Sequence, residues 1–345
     1  MIKIVETFVG DPHFQQFVDF PQRIYPVGSP KFAFPEQIPE KHLTAHYLVL
    51  SNGIAVGRAS LYSNPDLSYQ KHVTCTIGNY ECQPDDTYAA VLLEKLITEA
   101  AIRGANYLIG PMNGSTWENY RFATSHDHPP FFTEPYHHLY YHGQFRQAGF
   151  GPLAEYFTNR DTSLTTDRPD IVQREKALRA LGMTVRPINL NRYEEEISRI
   201  YEFNKLAFKT NFLFTPISQS AFCNKYASAV NFLNPAFTLV AEDDLQNIIG
   251  FYFCFDDVLN TSQKSLIAKT LARHPAPKWH GLGHVMGNLV VRKAAELGYE
   301  SMLHPFIFSQ GTSTRLSESF SGKNYRNYLL YGRPVFNHLT KHNFG

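Results

Sequence analysis

Residues 271–283 read LARHPAPKWHGLG and lie directly before an apolar pattern of helical spacing. The first residues predict a strand that ends at Pro275, and Gly281 and Gly283 predict a loop that leads into a helix. Glycines allow the backbone to approach an anion closely, and the first N–H groups of a helix lack partners within it, so this layout is typical of a phosphate-binding turn. An ordinary strand-to-helix turn, with glycines chosen for conformation only, is the alternative.

Two side chains of the loop, Lys278 and His280, add hydrogen-bond donors or positive charge at its mouth. The loop contains neither the GxGxxG pattern of dinucleotide-binding turns nor the GKS or GKT sequence of P-loops. Both of those nucleotide-binding classes are therefore excluded for this segment.

The helix after the loop carries one apolar stripe at helical spacing. Its members are Val285, Met286, Leu289, Val290, Ala294 and Leu297. Gly298 then predicts the helix end, and residues 299–303 predict a strand. A comparable helix, ending at Gly104 before a strand at 106–109, lies in the first half of the chain. Its stripe consists of Ala89, Leu92, Leu93, Leu96, Ile97 and Ala100.

Each of these helices follows a predicted β-hairpin. Residues 48–62 read LVLSNGIAVGRASLY and residues 239–253 read LVAEDDLQNIIGFYF, both with alternating apolar residues around a turn. Gly57 lies 47 residues before Gly104, and Gly250 lies 48 residues before Gly298. Spacing this similar predicts an internal duplication.

Each copy therefore reads strand, helical segment, hairpin, long strand, helix, strand. The leading strands are predicted at 2–9 and 184–188, with helical sequence at 12–25 and 193–208. The polar stretch 158–170 is the predicted linker, and a helix is predicted at 171–181. We expect an N-terminal domain at 1–165 and a C-terminal domain at 171–345.

The segment Leu271–Gly283 resembles motif A of the GNAT acetyltransferases, in which a strand leads to a Q/R-x-x-G-x-G/A loop. Lys278 stands in the first place of that loop, and Trp279 stands where a further glycine is common. The order of elements around it also matches, down to a polar helical segment at 311–320 and a tyrosine-rich strand at 325–331. The resemblance implies an α/β (α+β) fold of two tandem GNAT-like domains, each a mixed, mostly antiparallel twisted sheet flanked by helices.

The same resemblance implies acetyl-CoA or another acyl-CoA as cosubstrate and no metal. It implies that Leu271, Ala272 and Arg273 line the thioester arm, with Lys278 at the loop mouth. The residues that it places around the phosphates are His280, Gly281, Leu282, Gly283 and His284.

The first copy departs from the family pattern at the corresponding loop. Its strand at 73–82 is followed by QPDDT, which has no glycine and places Asp85 and Asp86 at the helix start. A carboxylate there caps the helix and occupies the position that a phosphate needs. Residues 145–150 (FRQAGF) nevertheless resemble the LYxxxGF ending of GNAT motif B. The N-terminal domain is therefore predicted to be a degenerate GNAT domain that does not bind CoA in the usual way.

Acyl transfer to an amine needs a base for the amine and an acid for the departing thiolate. On the family register the acid position, usually Tyr, falls on Ser317, so Tyr325 and Tyr328 are candidate substitutes. Core or strand-face aromatic residues are the alternative for both. Candidates for the base are His274, because histidine changes charge near neutral pH, and Glu81, for which a structural hydrogen bond is the alternative.

The segment 110–142 is rich in aromatic, Asn and His residues. We expect it to form a lid or one wall of the acceptor pocket, with Trp117, Asn119 and Tyr120 facing the substrate. A packed loop over a sheet end is the alternative. The histidines of this region lack the spacing of a three-ligand metal set, so no metal site is predicted.

The composition of the chain limits the classes of function that fit it. The formal charge of +1 over 345 residues gives no general field for nucleic acid. The N-terminus lacks the apolar core of a signal peptide, no apolar run is long enough for a membrane span, and the four cysteines show no CxxC spacing. We expect a cytoplasmic monomer or homodimer with reduced thiols.

The predicted function is acyl-CoA-dependent N-acyltransfer, with acetyl-CoA as the expected donor, to an amine-bearing small molecule or peptide. Alternatives are a non-catalytic acyl-CoA sensor or scaffold, and an aminoacyl or long-chain acyl transferase of the same superfamily.

Overall fold

The computed structural model describes residues 1–311 and 322–336. The strands in these ranges are β1 (Ile2–Thr7), β2 (Leu43–Ser51), β3 (Ile54–Tyr69), β4 (His72–Cys82), β5 (Tyr107–Gly110), β6 (Phe122–Ala123), β7 (Gly151–Asp161), β8 (Thr184–Pro187), β9 (Thr238–Glu242), β10 (Ile248–Asp256), β11 (Ser265–Arg273), β12 (Ser301–Phe308) and β13 (Lys323–Pro334). The α-helices are α1 (Phe14–Asp19), α2 (Pro21–Ile24), α3 (Asp86–Ile102), α4 (Tyr141–Gln147), α5 (Pro169–Ala180), α6 (Tyr193–Ala207), α7 (Gln219–Ala227) and α8 (Leu282–Glu296).

Both predicted hairpins are confirmed. Asn52 and Gly53 connect β2 to β3 with φ values of 51° and 82°, the left-handed conformation that a tight two-residue hairpin turn needs. Ser51 pairs with Ile54 across that turn. In the second copy β9 and β10 pair antiparallel around the turn at 243–247.

Both predicted amphipathic helices are confirmed as well. Most side chains of the two predicted stripes are buried. Ile97 and Leu289 are partly buried, and Leu297 lies beyond the end of α8 and is 40% exposed. Gly57 and Gly250, from which the matched spacings to Gly104 and Gly298 are counted, each lie on a strand beneath the helix of their own copy. A Cβ on Gly250 would lie 3.0 Å from Leu282 and 3.1 Å from Met286, and one on Gly57 would meet Leu92 at 3.6 Å. Glycine at 250 therefore lets α8 pack closely on its sheet, whereas at Gly57 the tighter contact is with the Cys82 side chain, at 3.2 Å.

The strands form one sheet in the order β1-β2-β3-β4-β5-β13-β7-β12-β11-β10-β9-β8, with β6 paired to β13. Only β4 with β5 and β11 with β12 are parallel among the paired strands of the described ranges. This mixed, mostly antiparallel sheet flanked by helices is the predicted fold class.

The closing strands of the two copies are exchanged. The last strand of the chain, β13, pairs with β5 of the first copy, and β7 pairs with β12 of the second copy. The two exchanged strands also pair with each other. Each half of the sheet is thus completed by a strand from the other half of the sequence.

Several predicted boundaries are wrong. The strand at 271 ends at Arg273 rather than Pro275, and the helical segment 12–25 is two short helices with Pro21 opening the second. The predicted linker is shorter than expected because residues 158–161 belong to β7 and residues 169–170 to α5. The predicted helical segment at 311–320, including Ser317, lies outside the described residues after Gly311. The division at 165 and 171 stays a prediction.

Candidate active site

The parallel strands β11 and β12 separate part of the way along their length. They pair at Ser265 with Ser301, Leu266 with Met302 and Ile267 with Leu303. Beyond Ile267, β11 continues beside β10 only, and β12 turns toward β7. A wedge-shaped gap therefore opens in the sheet, and the backbone groups of β11 that face it have no strand neighbour among the described residues.

This gap opens into a cavity of about 1020 Å³. Residues 268–271 of β11 and 304–308 of β12 form one side of it, and residues 116–121 of the first copy form another. Side chains from the connections after α6 and within α7 complete the wall, among them Phe212 and Lys225. The cavity is therefore built jointly by the two halves of the chain.

The N-terminus of α8 follows the C-terminal end of β11, beyond the residues that line the cavity. Gly281 is its N-cap with φ of 86°, and no side chain caps the helix. The first amides of α8 are consequently open to a ligand, because helix geometry leaves them without internal acceptors. A short 3₁₀ turn, Pro277–Trp279, precedes this end, and the Trp279 side chain is buried beneath it.

The loop is held by Arg174 of α5, a residue that the sequence did not suggest. Its Nε donates to the carbonyl of His280, and its Nη2 donates to the carbonyl of Lys278 at 3.4 Å. A Cβ on Gly281 would lie 2.9 Å from the Arg174 side chain. Glycine is thus needed here both for the positive φ and for the close approach of that arginine.

The surroundings of α8 are positively charged. Burial lowers the pKa of His284, and the nearby Arg168, His280 and Arg273 lower it further against the opposing effect of Asp170. Open amides, a glycine cap and neighbouring cations together match what a pyrophosphate requires. These residues fit the phosphate end of an acyl-CoA.

The first copy lacks such a site, as the sequence predicts. Asp85 caps α3, and its Oδ1 accepts from the N–H groups of Thr87 at 2.8 Å and Tyr88 at 3.4 Å. Its carboxylate therefore takes the position that an anion would need.

The gap between β4 and β5 is also filled by the chain itself. Met112 donates its N–H to the carbonyl of Ile77 at 2.6 Å, and the Asn113 side chain accepts from the N–H of Asn79 at 2.9 Å. A Cβ on Gly78 would lie 2.8 Å from the Asn113 backbone. No room is left there for a pantetheine arm.

The predicted cofactor residues line one path along β11 and into α8. Leu271 lies on the cavity wall, Ala272 is buried and Arg273 is exposed. Lys278 and His280 are exposed on the loop, with the Lys278 ammonium 4.8 Å from the centre of the Trp279 ring. The remaining predicted residues, Gly281, Leu282, Gly283 and His284, form the start of α8. Their roles stay predictions.

The four candidate catalytic residues do not line the cavity. Glu81 is buried in the first copy, where Tyr25 and Tyr141 donate to its Oε2 at 2.7 and 2.6 Å and Lys31 forms an ion pair with it. This is the structural hydrogen bonding that was the alternative for Glu81. His274 accepts from the N–H of Ala276 at 3.1 Å, within the loop.

The two tyrosines lie on β13. Tyr325 donates to the carbonyl of Pro129 at 2.7 Å. Tyr328 is buried and donates to Glu134, and burial together with that carboxylate raises its pKa far above the ordinary value. Burial also raises the pKa of Glu134 to about 7. Neither tyrosine is among the described residues that line the cavity.

The three candidate substrate residues, Trp117, Asn119 and Tyr120, all lie on the cavity wall. The indole of Trp117 donates to the carbonyl of Thr215 at 2.8 Å, which fixes the orientation of the ring. The histidines of the same segment hydrogen-bond mainly to backbone; His138, for example, contacts the carbonyl of Ile24 at 3.0 Å. Within residues 1–311 and 322–336 there is no group of three or more metal-ligating side chains.

Sequence reasoning missed three polar residues of the cavity: Arg121, Lys269 and His304. Burial lowers the pKa of His304 to about 4, so its imidazole is neutral at pH 7. Lys269 and His304 could have been suggested by their positions on β11 and β12, just past the point where the two strands separate. Arg121 lies in the segment 110–142 that was expected to form a pocket wall, but nothing in the sequence singled it out beside Tyr120.

No protein-family model matches the sequence, and no curated protein is similar enough to count as a relative. Solved structures do match. A tandem GNAT protein from the clavulanic acid biosynthesis pathway has a TM-score of 0.54 at 10% identity, over 97% of this chain and 99% of that one. A GCN5-related N-acetyltransferase from Anabaena variabilis ATCC 29413 has a TM-score of 0.58 at 9% identity, over 97% and 73%. One from Sphaerobacter thermophilus has a TM-score of 0.54 at 12% identity, over 97% and 96%. At these identities the likeness shows the fold.

Proposed function

From the tandem GNAT fold of this chain, we propose that the protein is an acyl-CoA-dependent N-acyltransferase. The observation that carries the proposal is the uncapped N-terminus of α8, which lies at the end of the same strand, β11, that borders the gap and the cavity. One strand therefore connects a site suited to phosphates with a cavity suited to an acceptor. Acetyl-CoA is the proposed donor.

Different residues of the C-terminal half bind different parts of the cosubstrate in this proposal. The amides from Gly281 to His284 hold the phosphates, with Arg273 and His280 supplying positive charge. The free backbone edge of β11 beyond Ile267 binds the pantetheine arm and supplies N–H donors for a developing oxyanion.

When bound, the cosubstrate supplies an acyl group activated as a thioester. An acceptor amine in the cavity forms the new C–N bond as the C–S bond breaks, and the amine proton passes to the thiolate or to solvent. The imidazole of His304 lies on the cavity wall, but its lowered pKa of about 4 makes it too weak a base to take that proton, so its role is to hydrogen-bond the acceptor.

The N-terminal half, residues 1–165, has a structural role in this proposal. Asp85 and the chain segment around Asn113 occupy the positions that a cosubstrate would need. The same half supplies Trp117, Asn119 and Tyr120 to the acceptor wall. The acceptor is proposed to be an amine-bearing small molecule or peptide.

Compartment and assembly complete the proposal. All four cysteines are free thiols, three of them buried, which suits the reducing cytoplasm. No helix of the described ranges combines the length and apolar character that a membrane crossing needs. A monomer or homodimer is proposed, since the cavity is built within one chain.

Two measurements test the proposal. Isothermal titration with acetyl-CoA and with longer acyl-CoAs is expected to show binding at one site per chain, and CoA release with a panel of amines is expected to show turnover. Absence of binding to every acyl-CoA would contradict the proposal.

The sensor or scaffold alternative is favoured by one observation: Tyr325, Tyr328, His274 and Glu81 all lie away from the cavity. Binding of acyl-CoA without turnover of any amine would support that alternative. Transfer from aminoacyl-tRNA would require a nucleic-acid-binding surface, and the balanced charge of the chain speaks against it.

A further inference from the structure

Positive charge is concentrated on the wall of the cavity. Three cationic side chains line it, Arg121, Lys225 and Lys269, and Glu118 is the one carboxylate among its described lining residues. Glu118 is already engaged, because both of its oxygens accept from Lys225 at 2.9 Å. Arg121 and Lys269 thus face the cavity without a carboxylate from the described part of the chain.

Arg121 is held in an unusual environment. Its guanidinium lies 3.7 Å from the centre of the Tyr120 ring and 4.4 Å from those of Tyr156 and Phe306. The residue is 8% exposed, and its Nε and Nη1 have no acceptor among the described residues. Leaving a buried cation without an acceptor is costly, whereas contact with aromatic faces partly compensates the charge and leaves the N–H edge of the guanidinium available to a ligand.

Lys269 lies beside the same aromatic ring. Its ammonium is 5.2 Å from the centre of Phe306 and donates to the hydroxyl of Thr133 at 3.3 Å. Burial, together with the nearby charges of Arg121 and Lys225, lowers its pKa to about 8. Two cations close enough to repel each other therefore line the same cavity from different halves of the chain, and a bound anion would relieve both costs.

We propose that this cavity binds an oxyanion, a carboxylate or a phosphate, through Arg121 and Lys269, and that the acceptor amine carries this group. The second part rests on the proposed function, whereas the anion site itself does not. The substrate class is then an amine that also bears an acidic group, such as an amino acid or an amino sugar phosphate. Arg is suited to this role because its fork matches the two oxygens of either group.

The anion site is separate from the phosphate end of the cosubstrate. Lys269 precedes Arg273 by four residues of β11, which is about 13 Å at the rise of an extended strand. The cosubstrate phosphates are assigned to the start of α8, beyond Arg273. A cation pair near the separation of β11 and β12 is therefore placed for the acceptor.

The first arm of the test omits any CoA. Succinate and inorganic phosphate are titrated into the full-length protein by calorimetry at constant ionic strength. We expect saturable binding of one or both, with at least tenfold weaker binding in R121Q and K269M. The matched controls are R192Q and K205M, which remove the same charges from exposed positions, and they are expected to bind as the wild type does. Absence of saturable binding of either anion to the wild type would overturn the proposal.

The second arm compares paired acceptors in the presence of acetyl-CoA: lysine with cadaverine, and glucosamine 6-phosphate with glucosamine. The acidic member of one pair is expected to have a kcat/KM at least tenfold higher, which identifies the oxyanion as a carboxylate or a phosphate. R121Q and K269M are expected to bring that ratio toward one. Equal use of both members of both pairs would overturn the acceptor assignment.

The two arms separate the possible failures. Anion binding without any acyl-CoA binding would contradict the proposed function and leave the anion site standing. Acyl-CoA binding without anion binding would contradict the anion site and leave the proposed function standing. Should R121Q fail to fold, R121K retains the charge but loses the planar fork, so its anion affinity is expected to fall below that of the wild type. Wild-type affinity in both R121K and K269M would overturn the proposal.

Discussion

At the scale of single residues, Gly281 joins two requirements at the start of α8. Its φ of 86° strains any side chain, and its amide neighbours are the proposed phosphate ligands. A carboxylate at this position would put negative charge in the place that the helix end offers to the phosphates, and it would therefore oppose their binding.

We predict that G281E weakens acetyl-CoA binding by at least a hundredfold in calorimetry. G281A is the matched control, because it carries the same backbone strain and the same approach to Arg174 without the charge. We expect at most a tenfold effect from G281A. Equal affinities of wild type and G281E would contradict the assignment of the phosphate site.

Lys269 is the residue that makes anion binding depend on pH. The groups that face it are Arg121 and Lys225, the hydroxyl of Thr133 and the ring of Phe306, with Glu118 acting through Lys225. Its ammonium is charged below its pKa of about 8 and neutral above it.

Succinate affinity is therefore predicted to be constant from pH 6.5 to 7.5 and to fall by up to roughly tenfold per pH unit above about 8. Succinate suits this measurement because both of its carboxylates remain ionised across the range. K269M is expected to bind weakly with a flat profile over the same range. A steep profile in K269M would show that another group titrates.

At the scale of elements, α3 and α8 occupy equivalent places in the two copies but differ at their N-termini. Both lie on their sheet above a glycine, yet α3 begins with an aspartate cap and α8 with an uncapped glycine. The aspartate cap stabilises the N-terminus of α3, whereas the first amides of α8 have no capping side chain and are available to a ligand.

D85A is predicted to lower the free energy of unfolding by about 1 kcal/mol, measured by urea denaturation, because two amides of α3 lose their acceptor. Its acetyl-CoA affinity is expected to equal that of the wild type. A change in that affinity comparable with the effect of G281E would mean that the first copy holds the cosubstrate after all.

At the scale of the whole molecule, the exchange of β7 and β13 ties the two halves together. Neither half of the sheet is complete without a strand from the other, since β13 pairs with β5 and β7 pairs with β12. Unfolding of one half exposes the sheet edge of the other.

We predict a single cooperative unfolding transition, followed by the two tryptophans of the chain. Trp117 comes from the first half of the sequence but packs against Phe222 of the second, so it reports on the contact between the halves, whereas Trp279 reports on the second half. W279F and W117F each leave one reporter. Their midpoints in urea are expected to coincide after correction for the stability change of each variant. L330A, which removes a fully buried side chain from β13, is expected to cost about 3 kcal/mol and to shift both reporters together. Separate transitions for the two reporters would show that the contact between the halves is lost independently of the unfolding of the second half.

Much of the architecture follows from short-range physics and was readable in the sequence. Asn52 and Gly53 make one turn favourable wherever the chain lies, and the apolar stripes of α3 and α8 follow from helical periodicity. The same holds for the Gly281 loop and for the Asp85 cap, since a helix end and its cap are neighbours in sequence.

The sequence by itself thus determined the hairpins, the two packed helices and the contrast between the two helix starts. Only the tertiary structure decided that β7 and β13 change places, that Asn113 fills one gap in the sheet, and that Arg121 meets Lys269 across the other. Strand pairing uses backbone groups that every residue carries, so no side-chain pattern names the partner of a strand. The cavity depends on that choice of partner, because its walls come from residues about 150 positions apart in the chain.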